Sequence, residues 1–337
     1  KKKFSGSSQQ DSHECLVEML DLLHEETKTD IIFKQKIFDE NLINYINIRK
    51  QLTEIIKRQD ITPEEILESK ERFDTFRNEH LKEDATFKSL VFWRNFLKSN
   101  HSTIVDIFFG YTILQTKCSV CQNTSFRFEQ YNILPLAISS QSQPDNKKYN
   151  NYRGHANHWN GGNNFWNNHW QNWNANNTST TLEKCLDNAF NKISYLNGDN
   201  KYDCNKCSKY VDATQKTSFW KLPSRLIIQL VRFETTGTHS TKNEAYVKFP
   251  LTNLNMRKYC SEYVDDIDCM YDLYAVIKHT GSLMGGHYIA YVKNELNGRW
   301  YVYDDDNVRH IDDSKVEDTI VNSGAYILFY KNNTDNL

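Results

Sequence analysis

The sequence predicts an α+β fold, helical toward its N-terminus and built on antiparallel strands toward its C-terminus. Three observations predict it. Apolar residues recur at helical spacing early in the chain. From Tyr271 onward nearly every segment has the composition and alternation of a strand. Between these regions lie two CxxC pairs, Cys118 with Cys121 and Cys204 with Cys207. Helices first and strands later is the segregated layout of an α+β domain, in contrast to a βαβ alternation. The 337 residues suit one large domain with insertions or two smaller ones. A hydrophobic fraction of 39% is enough for a real core, and the 13% aromatic share, rich in Tyr and Phe, suits sheets.

The segment "SHECLVEMLDLLHEET", Ser12 to Thr27, carries Leu16, Met19, Leu20 and Leu23 on helical spacing. Residues 31–100 are charged and mostly helical in pattern, and Thr62 with Pro63 makes a good N-cap and first-turn pair. "STIVDIFFGYTILQTKCSVC" leads through β-branched and aromatic residues into the first CxxC, and "TSFRFEQYNILPLAI" alternates as a strand. Residues 141–177 are dominated by Asn, Trp and His, a composition that cannot bury a core and reads as a disordered loop. Its His155, His158 and His169 are compatible with catching a metal, but compositional bias in a loop is the preferred reading. "TTLEKCLDNAFN" restarts a helix near Thr181 and Glu183. After the second CxxC, "LIIQLV" suits a strand buried on both faces.

A net charge of −2 leaves no electrostatic footprint for nucleic acid or an acidic membrane. No apolar run reaches the length of about eighteen residues that a spanning helix needs. The first residues have no apolar h-region and no Met, and a truncated N-terminus is expected. Eight cysteines without a secretion signal favour a reducing compartment, cytoplasmic and/or nuclear.

Each CxxC lets two thiolates grip one side of a tetrahedral ion, and two knuckles complete four ligands at Zn–S of about 2.3 Å. Four thiolates leave no open position, so a zinc bound by Cys118, Cys121, Cys204 and Cys207 would be structural. The bland alternative is four unrelated buried thiols. A redox CxxC lacks the βαβ context. Cys15 and Cys185 fall within helix patterns and read as core fillers.

The stretch "MGGHYIAYVKNELNGRWYVYDDDNV" pairs a histidine with aspartates across a hairpin. With a turn over Asn294 to Gly298, His287 lies within about one residue of facing Asp304 and Asp305. A carboxylate there can fix the imidazole tautomer and stabilise the imidazolium, making a general base for a nucleophile. Gly285 and Gly286 leave room beside it. Taken alone the pattern is also that of a structural histidine beside an acid.

"HTGSLMGGHYIAYVK" followed by "WYVYDDDNV" resembles the His and Asp boxes of the ubiquitin-specific protease family of cysteine deubiquitinases. "QQDSHECL", Gln9 to Leu16, resembles the family's QQD box, and the two CxxC regions resemble its zinc-binding fingers. The resemblance covers residues 4–30, about 92–138 and 180–330. It implies a papain-like fold of thumb, palm and zinc-ribbon fingers, here without the N-terminal part of the thumb. It divides the chain into a QQD-box thumb helix (1–30), a helical insertion (31–90), palm and fingers (91–138), the Asn/Trp-rich insertion (139–179), fingers and palm (180–250), and a palm with the His and Asp boxes (251–337). It implies cleavage after the C-terminal glycine of ubiquitin. His287 is then the general base, Asp304 orients it, and Asp305 matches a second, assisting acid. Asp11 and Glu14 match the acids that meet the basic tail of ubiquitin. Gly286 and Tyr288 lie along the cleft, with Gly281 to Gly286 as a blocking loop and the segment after Phe233 as its neighbour. The implied partners are ubiquitin and ubiquitinated proteins, with no nucleic acid and no membrane.

One family box is missing. The nucleophile belongs to a Cys box upstream of the QQD box, and none of the eight cysteines has that context. Cys15 occupies a position where the family usually has an apolar residue. This chain alone is therefore expected to be inactive, either as a fragment of an active enzyme or as a non-catalytic ubiquitin-binding scaffold. A zinc-ribbon nucleic-acid binder is disfavoured by the near-neutral charge.

Overall fold

A computed structural model describes residue 4 and residues 10–33, 38–58, 60, 62–138, 179–236, 239–265, 267–282 and 285–334. The Asn/Trp-rich stretch 141–177, with its three histidines, lies outside the described residues. Helical periodicity becomes α1 (Ser12–Glu26), α2 (Glu40–Ile56), α3 (Pro63–Glu79), α4 (Leu81–Asn100) and α5 (Thr103–Phe108). Asp11, Asp39, Thr62 and Ser102 cap α1, α2, α3 and α5, each side chain accepting a backbone N–H from the first turn. Thr62 and Glu65 form a reciprocal capping box, with Pro63 in the first turn.

Residues 90 and 91, where the sequence reading divides the helical insertion from the palm and fingers, both lie within α4. Apolar spacing continues through Trp93, Phe96 and Leu97 because this face packs on a sheet. Trp93 stacks on Tyr111 at 4.9 Å and Phe92 on Phe128 at 5.8 Å. Asp84 of α4 is fully buried, yet it is satisfied by Tyr45 (2.8 Å), Lys88 (2.6 Å) and Arg49 (3.3 Å).

The strands run β1 (Gly110–Cys118), β2 (Thr124–Tyr131), β3 (Ile133–Ala137), β4 (Thr180–Thr181), β5 (Ser194–Leu196), β6 (Tyr202–Cys204), β7 (Lys209–Val211), β8 (Ala213–Lys221), β9 (Arg225–Val231), β10 (Phe233–Thr236), β11 (His239–Lys242), β12 (Val247–Lys248), β13 (Leu254–Asn255), β14 (Met270–Ser282), β15 (Gly285–Lys293), β16 (Trp300–Asp304), β17 (Asn307–His310) and β18 (Ala325–Asn332). Helix α6 (Leu182–Leu186), capped by Thr181, follows β4, and α7 (Val316–Ile320) precedes β18.

A four-stranded sheet has the order β2-β1-β8-β5. An eight-stranded sheet has the order β17-β16-β15-β14-β18-β9-β3, with β13 also on β14. The stretch expected as one strand, "TSFRFEQYNILPLAI", divides at Asn132, where the chain leaves the first sheet and enters the second. Strand β9 holds the expected central place between β18 and β3. Its alternate residues feed two cores. Leu226, Ile228 and Leu230 face Leu182, Leu186 and Phe190. Ile227 faces Val17 and Leu20 of α1 and Ile104 and Val105 of α5. Burial on both faces is why this strand reads as a continuous apolar run.

Candidate active site

The β15–β16 ladder runs from Lys293↔Trp300 to Ala290↔Tyr303. Its turn is the one the sequence predicts. The Gly298 amide donates to the Asn294 carbonyl at 2.8 Å, and Gly298 takes the left-handed φ of 71°. Beyond Ala290↔Tyr303 the arms part, because β16 turns back into β17 through Asp305 and Asp306, with Asp304 paired to Asn307. His287 lies three residues past the last pair on one arm and Asp304 one residue past it on the other. Their side chains converge in the widening gap, and His287 Nε2 is 2.6 Å from Asp304 Oδ1.

A bond this short between an imidazole and a carboxylate is charge-assisted. It raises the His287 pKa above its usual 6.5, desolvation opposing and the charge of Asp305 adding to the rise. The imidazole is about half exposed, 49%, so it can meet a substrate. With Nε2 engaged, Nδ1 is the ring nitrogen available for proton exchange. Asp305 takes the left-handed φ of 49° at the tight turn. Its carboxylate lies within 4.8 Å of the His287 and Asp304 ligand atoms. Arg309 stands 3.9 Å from the second oxygen of Asp304.

The N-terminus of α1 docks beside this hairpin. Asp11 accepts the His13 amide at 2.8 Å as the helix cap, and the Tyr326 hydroxyl donates to its two oxygens at 3.0 and 2.9 Å. Glu14 is exposed in the first turn of α1. Tyr288 is half-buried, its ring 4.7 Å from that of His279 and 6.4 Å from that of Tyr326. Burial, and then the charge of Asp11, raises the pKa of the Tyr288 hydroxyl. Gly286 has a steric reason that the sequence did not disclose. A Cβ there would run into His279 Nε2 and the Thr280 carbonyl. The expected blocking loop is corrected in part. Gly281, Ser282, Gly285 and Gly286 are paired residues of the β14–β15 ladder, and Leu283 and Met284 lie outside the described residues. Its expected neighbour after Phe233 is the β10–β11 hairpin. His279 is buried, and desolvation lowers its pKa.

None of the eight cysteines hydrogen-bonds His287. Cys15 is half-buried on α1, and Cys185 is buried.

Cys118, Cys121, Cys204 and Cys207 do converge, their sulfurs within 4.8 Å of one another. The Cys118–Cys207 and Cys121–Cys204 separations are 3.8 and 3.6 Å. A tetrahedron with Zn–S bonds of about 2.3 Å has edges of about 3.8 Å, so the donor set fits zinc. The Val120 and Cys121 amides each point at Cys118 Sγ at 3.4 Å, as amides do at a thiolate ligand. One feature of the knuckles was missed from sequence. The residue after each pair, Gln122 (φ 57°) and Ser208 (φ 52°), is left-handed. Each donates its amide to the carbonyl of the first cysteine, at 3.1 and 2.8 Å. Neither is Gly or Asn, so no turn signal marked it.

The family model described as "Ubiquitin carboxyl-terminal hydrolase" matches residues 1–330. Ubiquitin carboxyl-terminal hydrolase 2 of Bos taurus is 28% identical over 329 residues, which are 98% of this chain and 41% of that protein. Ubiquitin carboxyl-terminal hydrolase 12 of Saccharomyces cerevisiae is 40% identical over 157 residues, 47% of this chain and 12% of that protein. The chain thus spans less than half the length of either. Among solved structures, a SAGA DUB module bound to ubiquitin aldehyde has a chain with TM-score 0.51 and 25% identity. The match covers 80% of this chain and 50% of that one.

Proposed function

The chain belongs to the ubiquitin carboxyl-terminal hydrolase family, and from that premise we propose that it carries the base half of a thiol-dependent deubiquitinase site. The reaction is hydrolysis of the isopeptide or peptide bond after the C-terminal glycine of ubiquitin. One observation carries the reading: an exposed imidazole held by a carboxylate at 2.6 Å. His287 accepts the proton of a thiol, and the resulting thiolate attacks the carbonyl. Asp304 holds the imidazole in place and stabilises the imidazolium, and Asp305 adds negative charge beside it. His287 then returns the proton to the leaving amine. Ubiquitin and ubiquitinated proteins are the partners. Exposed Glu14 suits a basic peptide tail, and Tyr288 and Gly286 flank its path. Asp11 also serves as a helix cap and an anchor for Tyr326, so its contribution to the tail is shared with structure. Zinc at the four cysteines braces the four-stranded sheet and takes no part in the chemistry. Among the described residues no helix is long and apolar enough to cross a membrane. The cysteine usage, with thiols grouped in metal-type pairs, favours the cytoplasm and/or nucleus.

A second reading is a ubiquitin-binding scaffold without turnover. A ubiquitin vinyl-ester probe on the full-length gene product separates the two. An adduct, with turnover lost in His287→Ala and ubiquitin binding kept, supports the enzyme, with a rate loss of about 10²–10⁴-fold or more. Ubiquitin binding without any adduct supports the scaffold. Turnover surviving in His287→Ala removes that residue from the mechanism.

A further inference from the structure

Strand β14 loses a neighbour where the site needs it rigid. Strand β18 pairs with β14 from Tyr271↔Asn332 to Lys278↔Ala325, and the last bond runs from the His279 amide to the Gly324 carbonyl at 2.9 Å. Alternate residues of a strand present their backbone groups to the same edge. The carbonyls of His279 and Gly281 therefore face the edge that β18 has left. Thr280 faces the other way and pairs with His287.

The Lys242 ammonium fills that edge. It donates to the Gly281 carbonyl at 2.7 Å and to the His279 carbonyl at 3.3 Å. Its side chain is only 9% exposed, and among the described residues the acid paired with it, Glu244, lies 3.8 Å away with 70% exposure. A largely covered cation aimed at two carbonyls, with so weak an acid partner, is acting as a strand edge. Lys242 is itself held from below. Arg232, fully buried, donates through Nε to the Ala325 carbonyl at 2.6 Å and through Nη1 to Asn243 and Ala245 at 2.9 and 3.0 Å. The Asn243 amide returns a bond to the Arg232 carbonyl at 2.6 Å. One buried cation thus fixes the end of β18 to the residue after Lys242, and the second carries that fixed point to the tip of β14.

We propose that Lys242 is a positioning residue for His287: its ammonium replaces the missing strand along residues 279–281 and holds rigid the segment that pairs with the imidazole-bearing arm. The inference rests on the reading of His287 as the general base, but its test needs no turnover. Lys242 touches neither the imidazole nor Asp304, and it acts through the backbone.

The test is amide exchange and a histidine ring titration by NMR on this chain, in four forms: unchanged, Lys242→Met, Lys242→Arg and Asp304→Asn. In Lys242→Met, exchange at Thr280 and His287, the pair that faces across the ladder, speeds up by about ten- to a hundredfold, the loss expected for a charge-assisted bond. The β1–β8 amides keep their protection. The His287 titration moves toward that of Asp304→Asn, a change that loss of packing elsewhere would not produce. Lys242→Arg, which can still donate to two carbonyls, restores most of both signals. Should Lys242→Met fail to fold, Lys242→Gln serves with a smaller effect of the same pattern. The proposal is overturned if exchange at Thr280 and His287 is unchanged, or if exchange quickens while the His287 titration stays fixed. If Asp304→Asn leaves the His287 titration unmoved, the catalytic pairing is what fails, and the amide arm alone still decides Lys242.

Discussion

Cys118, Cys121, Cys204 and Cys207 are gathered by two copies of one local turn, whereas His287 and Asp304 meet where two strands stop pairing. The sulfurs form a closed set, with Cys118 and Cys204 buried at the end of the four-stranded sheet. The imidazole–carboxylate pair is open, about half exposed, and within reach of a second acid. A site that only has to hold a metal can be closed by short-range geometry. A site that has to receive a substrate keeps one side open and is stiffened from behind. Here Gly286 lets β15 lie against His279, Tyr326 holds Asp11, and Arg232 and Lys242 finish the edges of β18 and β14.

The largest effect should come from breaking the closed site. Cys204→Ser removes one thiolate from a donor set whose zinc, in small domains, contributes roughly 10–16 kcal/mol of apparent binding energy to folding. Metal content should fall from about one zinc per chain to none. Amide protection should collapse across β6, β7 and the adjoining ends of β1 and β8. Helix α3 should loosen with them, since Arg77 bonds Asn123 beside one knuckle and Asp74 lies 3.9 Å from Lys206 in the other. The His287 titration should not move. Well-folded protein without zinc would contradict the comparison at its root.

A smaller effect sharpens the open site. Asp304→Asn removes the carboxylate charge that raises the His287 pKa, and the ring should then titrate closer to 6.5 in an NMR pH series. The sign follows from linkage. A folded-state pKa above the unfolded value means that the proton-linked stability is fully present below about 6.5 and is lost as pH rises through the raised value. The variant should lack that pH dependence. Because the imidazole is exposed, its melting temperature at pH 8 should match the parent. An unchanged titration would separate the short bond from the charge it is read as carrying.

Much of this was legible from residue order, for identifiable reasons. The CxxC pairs declare their chemistry by spacing, because both ligands of a knuckle come from one turn. The Asn294–Gly298 turn fixes the register that brings Asp304 near His287. By turn position alone the two fall within one residue of facing each other. The ladder instead ends at Ala290↔Tyr303, and it is the splay beyond it that allows their contact. Asp11 carried a readable N-cap signal, an acid directly before an apolar-periodic helix, which the ubiquitin-tail reading did not use. Lys242 and Arg232 left no trace. Their partners are backbone carbonyls, which every residue has, so only the topology shows which carbonyls lack a strand. The split at Asn132 was hidden for a related reason, since one alternating run can serve two sheets in succession.

The smallest effect tests whether the two knuckles really share one design. Ser208 and Gln122 hold left-handed backbone angles of 52° and 57°. Such a conformation costs an L-residue roughly 1–2 kcal/mol. Glycine relieves that cost but adds unfolded-state entropy worth about 0.4–1 kcal/mol. Ser208→Gly should therefore stabilise the zinc-loaded chain by about 0.5–1 kcal/mol in urea unfolding. Gln122→Gly gains the same backbone relief but loses the 2.9 Å bond from Gln122 Nε2 to the Ser119 carbonyl, so it should come out near neutral. Equal gains at both positions would show that this side-chain bond contributes nothing to the first knuckle. Destabilisation at Ser208 would show that its left-handed angle is not a source of strain. The closed site would then be less symmetric in energy than it is in shape.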